Sequence, residues 1–125
     1  MIVLTVDEIM LLHDKLIAAT GGSPGLRDMA LLESAVFSVS SGFGEEESYP
    51  TVEEKAARFA FALTQNHAFV DGNKRIGILA MLTTLRLNGM QIEYTQHELV
   101  DLGLSIAKST AKYDDVLAWL RQRIK

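Results

Sequence analysis

Apolar positions along the chain recur at spacings of three and four, the period of a helix that buries one face. Ile9, Leu12 and Leu16 form one such stripe, Ala56, Phe59, Ala60 and Leu63 a second, and Leu99, Leu102 and Ile106 a third. Each stripe follows a threonine with a glutamate three residues on: Thr5 and Glu8, Thr51 and Glu54, Thr95 and Glu98. In such a capping box the hydroxyl accepts from the free amide of the glutamate, whose carboxylate reaches back to the amide of the cap. Helices are therefore predicted to start directly after Thr5, Thr51 and Thr95. Gly21-Gly22-Ser23-Pro24-Gly25 breaks the chain after the first helix, and Asp28 can cap another that runs to about Val39.

The segment from Asn73 to Leu87 is apolar almost all round (Ile76, Ile78, Leu79, Ala80, Met81, Leu82, Leu85), which marks a central, buried helix ended by Asn88-Gly89. A last helix from about Tyr113 to Ile124 turns Val116, Leu117, Leu120 and Ile124 inward. Ile2–Leu4 and Gln91–Tyr94 could form short extended pieces. The pattern predicts an all-α fold, a compact bundle of about six helices around a central buried helix. Residues 1–125 read as a single domain without repeats.

Composition narrows the functional classes. A chain of 125 residues that is 48% apolar, with two prolines, can bury a core and is not disordered. A net charge of -4 speaks against a general nucleic-acid binder. The absence of cysteine excludes disulfides and thiolate metal sites. MIVLTVDEIM has no signal-peptide pattern, and no apolar run approaches the ~18 residues of a membrane span. The expectation is a soluble cytoplasmic protein with no direct nucleic-acid or membrane partner.

The chemistry is concentrated in His67-Ala68-Phe69-Val70-Asp71-Gly72-Asn73-Lys74-Arg75, between the third and fourth helices. The N-terminus of a buried helix offers unpaired amides and a positive dipole end, a prepared anion site. Gly72 lets a phosphate approach the backbone, and Asn73 can cap the helix and donate to a phosphate oxygen. Lys74 and Arg75 place two cations at the end of the helix that favours anions, at a cost of a few tenths to ~1 kcal/mol. A bound polyphosphate would reverse that cost. Asp71 is a candidate Mg2+ ligand, since such sites often use one or two carboxylates with phosphate and water. His67 is the candidate general base, because imidazole has the ordinary pKa suited to proton abstraction near neutrality. Phe69 is read as the structural anchor of the motif. Taken singly, each residue has a plainer role as cap, turn, solvated charge or helix end; nine residues combining them at a helix mouth point to function.

These nine residues resemble the signature of the Fic/Doc family, His-x-Phe-x-Asp/Glu-Gly/Ala-Asn-Gly/Lys-Arg, at every fixed position. Gly21-Gly22-x-Pro24-Gly25-Leu26-Arg27-Asp28, Tyr49-Pro50-Thr51 through Ala56, and the chain length are similar to the Doc (death-on-curing) toxin branch. Fic adenylyltransferases usually carry Pro after the histidine, Gly before the final Arg and a second Arg three residues later. Ala68, Lys74 and Ile78 stand there instead. The resemblance thus implies a protein kinase toxin that moves the γ-phosphate of ATP, with Mg2+, to a threonine of translation elongation factor Tu and stops protein synthesis. His67, Asp71, Lys74 and Arg75 would be catalytic, and Gly72, Asn73, Lys74 and Arg75 would bind phosphate. An adenylyltransferase, or a catalytically inactive binding module with the same fold, are the alternatives. No inhibitory Ser/Thr-x-x-x-Glu-Gly/Asn motif is present; Ser41 to Glu45 comes near, but Glu46 follows. Inhibition in trans by a Phd-like antitoxin, whose tail folds into an apolar groove, is implied instead.

Other positions carry weaker signals. Ser40 to Pro50 is a candidate lid or target-docking loop, with Phe43 and Tyr49 as its aromatic residues, or simply a surface insertion. His13 and His97 read as structural, Trp119 as core, and Glu45-Glu46-Glu47 as a solvated acidic run. Gly77, inside a helix, suggests close backbone packing.

Overall fold

The computed structural model describes residues 1–125, in six helices and one two-stranded hairpin. The helices are α1 (Val6–Thr20), α2 (Met29–Val39), α3 (Val52–Asn66), α4 (Asn73–Leu87), α5 (Gln96–Ala107) and α6 (Tyr113–Arg121). All three threonine capping boxes form, with the glutamate amides donating to Thr5, Thr51 and Thr95 at 3.1 to 3.2 Å. Asp28 caps α2 by accepting from the Leu31 amide at 3.1 Å. Each of these side chains takes up one orphan donor of its helix start and fixes where that helix begins.

Burial divides into two apolar clusters on either side of the α3–α4 pair. One joins α1, α2 and the inner faces of α3 and α4 through Ile9, Leu32, Val36, Phe59, Leu63 and Ile76. The other joins α5 and α6 to the opposite faces through Ala56, Met81, Leu85, Ile106, Val116 and Leu120. The fourth helix is thus central, as its composition indicated, although Ile78, Leu79 and Leu82 remain half-buried beside a groove. Gly77 is the point of closest approach: a Cβ there would lie 2.9 Å from the Ala60 carbonyl oxygen and 2.6 Å from Thr64 Oγ1. The Thr64 hydroxyl, sealed at this crossing, has no hydrogen-bond partner.

Extended structure differs from the expectation. Ile2–Leu4 forms no strand; instead the side-chain amide of Asn88 exchanges two hydrogen bonds with the Ile2 backbone. The last helix ends at Arg121 rather than Ile124, because the chain turns to pair with the Gln91–Glu93 backbone, with one bridge between Ile92 and Ile124. The loop after α2 contains an antiparallel hairpin, β1 (Gly42–Phe43) and β2 (Glu46–Glu47). Its acidic run is not merely solvated: Glu47 pairs at 3.1 Å with Lys55, a fully buried ammonium that also donates to the Val39 carbonyl. Phe43 is 93% exposed at the hairpin. Tyr49, by contrast, packs edge-on against Tyr113 and under the Arg58 guanidinium.

Candidate active site

The nine-residue motif spans the end of α3, a short link and the mouth of α4. His67 is the C-cap of α3 in a left-handed backbone conformation, φ 51° and ψ 46°, with an exposed side chain. Gly72, also left-handed at φ 78°, is the N-cap of α4 and supplies no side-chain bond to the helix. The cap is therefore not Asn73. That residue folds its amide back on the link, where Oδ1 accepts from the Phe69 amide and Nδ2 donates to the Phe69 carbonyl, each at 3.0 Å. It braces the loop; the expected cap bond is absent because a glycine occupies the cap position.

The consequence for charge is specific. The backbone amides of Asn73, Lys74 and Arg75 make no hydrogen bond within the chain. Three unpaired N–H groups at a positive dipole end can converge on an anion, whereas the side-chain caps of α1, α2, α3 and α5 each take up the third amide of their helix. Gly72 belongs here for a second reason. A Cβ would meet Ile17 Cδ1 at 3.2 Å and Arg75 Nη2 at 3.4 Å, in a conformation already unfavourable for other residues.

The link is held from outside its own sequence. Leu26 bridges Phe69, the amides of Arg27 and Asp28 donate to the Ala68 carbonyl, and the Val70 amide donates to Gly25. Arg27 donates through Nε (2.8 Å) and Nη2 to the carbonyl of His67. From below, buried His13 stacks on Phe69 with ring centroids 3.8 Å apart and donates from Nε2 to the Asp71 carbonyl at 2.7 Å. The acceptor is a carbonyl, so Nε2 carries the proton. Phe69, itself buried, is accordingly pinned by a histidine ring as well as by the core.

Asp71 and Arg75 lie together, 3.7 Å apart, but each is also held elsewhere. The Asp71 carboxylate accepts from the Gly72 amide at 2.7 Å and the Ser23 amide at 3.0 Å. The Ser23 amide, then the Gly72 amide, together with the charges of Arg75 and His13, hold its pKa below the ordinary value of 3.8. The Arg75 guanidinium donates from Nη1 to the Thr20 hydroxyl at 2.7 Å and the Gly21 carbonyl at 2.8 Å. Gly22 sits against both, and a Cβ there would fall 2.6 Å from Asp71 Oδ2 and 2.8 Å from Arg75 Nη2. Lys74 points to another neighbour: its stem lies on Gly103 of α5, and it forms no ion pair. With Arg75 it edges a groove of about 380 Å³ lined by Leu16, Ile78, Leu79, Leu82, Leu99 and Val100.

A divalent cation fits this donor set only in part from protein. No group of three carboxylate or imidazole side chains converges anywhere in the chain. Asp71 is half-exposed, and each of its oxygens accepts one amide, leaving lone pairs directed to solvent. One carboxylate completed by phosphate oxygens and water is an arrangement that Mg2+ accepts. His97 stays at the surface beside Asp101, and Trp119, half-buried, lies under the Arg123 guanidinium at 4.1 Å; neither touches the site.

The Gly21–Gly25 break does more than end α1, since Gly25, Arg27 and Asp28 bond the α3–α4 link, and His13 is structural, as its place in α1 indicates, with the motif itself as the part that it supports. The available signal was a run of glycines followed by an arginine and a cap, which is more polar chemistry than a helix break requires.

Residues 3–85, from the start of the chain through most of α4, match the Fic/DOC family. The chain is 35% identical over 104 residues to "Toxin Doc" of Mycolicibacterium smegmatis, covering 82% of this chain and 80% of that protein. It is 32% identical over 116 residues to "Protein kinase doc" of Escherichia phage P1, covering 93% and 90% respectively.

Proposed function

We infer the activity from one premise: the chain belongs to the Fic/Doc family. We propose that it is a Doc-like toxin that acts in the cytoplasm as a protein kinase, with residues 1–125 working as one domain. It transfers the γ-phosphoryl group of ATP to a protein hydroxyl, a threonine of translation elongation factor Tu, and thereby halts protein synthesis. The names of two relatives, a toxin and a protein kinase, support this reading. The observation that carries it is the open mouth of α4, with three unpaired amides next to an exposed His67 at the end of α3.

In this mechanism the target hydroxyl gives its proton to the imidazole of His67 as its oxygen bonds to the γ-phosphorus. The bond from that phosphorus to the β–γ bridging oxygen breaks, and ADP leaves with the electron pair. The amides of Asn73, Lys74 and Arg75 and the Lys74 ammonium stabilise charge on the phosphoryl oxygens, the main requirement of phosphoryl transfer. Asp71 would hold Mg2+, which supplies charge neutralisation between the phosphates. Arg75 acts chiefly by anchoring the α4 mouth to the end of α1 through Thr20 and Gly21.

The groove beside Lys74 and Arg75 suits a cognate antitoxin. Its apolar walls match one face of an amphipathic helix, and the two cations at its edge favour an acidic residue in that helix. The test of the reaction is to incubate the chain with ATP, Mg2+ and elongation factor Tu and weigh the intact target. A gain of one phosphoryl group is expected. A gain of one adenylyl group would assign the adenylyltransferase chemistry instead, and an unmodified target would leave a binding module.

A further inference from the structure

The left-handed backbone of His67 has to be held in place. A residue with a Cβ disfavours that conformation, and it persists only where surrounding contacts over-determine it. His67 also ends α3, where carbonyls lack intrahelical partners. The Arg27 guanidinium meets both needs: Nε, at 2.8 Å, and Nη2 donate to the same His67 oxygen from a segment 40 residues away in sequence. The amides of Arg27 and Asp28 take the next carbonyl, that of Ala68, at 2.8 and 3.0 Å. Two consecutive carbonyls of the α3–α4 link are therefore fixed from one short stretch of chain. Arg27 lies outside the nine-residue motif and is exposed, so packing does not explain it.

We infer that Arg27 is a positioning residue for the histidine base: its forked grip on the His67 carbonyl keeps that backbone left-handed and sets the direction in which the imidazole leaves the chain. The inference rests on the proposed phosphoryl transfer for its catalytic consequence, but not for its structural content. A lysine cannot replace the fork, since an ammonium presents a rotatable point charge rather than two donors fixed in one plane on the same oxygen.

The experiment introduces Arg27→Ala and Arg27→Lys into the full chain, each with and without His67→Ala. It reads transfer to elongation factor Tu, KM for ATP, thermal melting, and the His67 backbone chemical shifts by NMR without nucleotide. Arg27→Ala is expected to lower kcat about 10²-fold, the cost of a misplaced catalytic group. KM for ATP should stay within about twofold, because the anion site itself is intact. Free guanidinium should restore part of the rate, and Arg27→Lys should recover little. In the His67→Ala background the same change should alter the residual rate by less than about threefold, as for residues that act as one unit. The His67 shifts should leave their left-handed values. Equal losses with and without His67, or unchanged His67 shifts, would overturn the inference. Should Arg27→Ala not fold, Arg27→Gln, which retains one amide donor, takes its place in every arm. A wild-type chain that transfers nothing would remove the proposed reaction, while the NMR arm would still decide the role of Arg27.

Discussion

Substituting Gly77 by alanine tests whether the α3–α4 crossing sets the geometry of the site. The added Cβ would lie 2.9 Å from the Ala60 carbonyl oxygen and 2.6 Å from Thr64 Oγ1. The hydroxyl can rotate away, but the carbonyl is helical backbone. With comfortable contact near 3.5 Å, the two helices must part by about 0.6 Å at this point. Overpacking of this kind costs ~1–3 kcal/mol, and the better helix propensity of alanine offsets up to ~1 kcal/mol. A net loss of about 1–2 kcal/mol should lower Tm by roughly 3–8 °C for a domain of this size. Gly77 lies one turn inside the mouth of α4, and His67 lies one turn beyond Thr64 at the end of α3. The same displacement therefore separates base from anion site, and kcat should fall about tenfold or more, since a 1 Å misplacement can cost 10²-fold. Thermal melting by circular dichroism and a single-turnover transfer assay measure the two effects. A variant that matches wild type in both would refute the argument that this crossing is close-packed and rigid.

Two further outcomes follow from buried and ionised groups. Glu47→Gln should destabilise the chain by about 1–3 kcal/mol, below the ~3–5 kcal/mol of a fully buried broken pair because Glu47 is half-exposed, whereas Lys55→Met should be near neutral; urea unfolding showing the reverse order would contradict this. Asp71, with a pKa held down by the Ser23 and Gly72 amides, contributes stability that is fully present above 3.8 and lost as pH falls through its lower folded value. The melting difference between wild type and Asp71→Asn should therefore be present at neutral pH and vanish in strong acid, and a difference that persists there would count against these hydrogen bonds.

Local chemistry made much of this molecule legible. The capping threonines Thr5, Thr51 and Thr95 act within four residues, so a linear pattern contains the whole interaction, and Gly77 betrayed the close crossing by sitting in an otherwise well-formed helix. The motif from His67 to Arg75 was visible because its residues are contiguous. The contacts that shape it were not. Arg27 reaches His67, His13 reaches Asp71 and Ser23 reaches Asp71 across 40 to 58 residues, through backbone atoms that look alike at every position. Asn73 read as a cap because its type favours that role; a glycine in the left-handed conformation took the position, and this change opened the amides. The hairpin at Gly42–Glu47 was hidden for another reason, since two-residue strands carry no alternation to detect.

The central claim is that the α4 mouth grips the terminal phosphate of ATP while His67 activates the acceptor. Its most direct test follows label from ATP marked at either the γ- or the α-phosphorus into elongation factor Tu, with wild type and His67→Ala compared. The account predicts label on one threonine from γ-marked ATP only, and a rate about 10²- to 10⁴-fold lower without the imidazole. Label arriving from the α position, or a His67→Ala variant as fast as wild type, would contradict it.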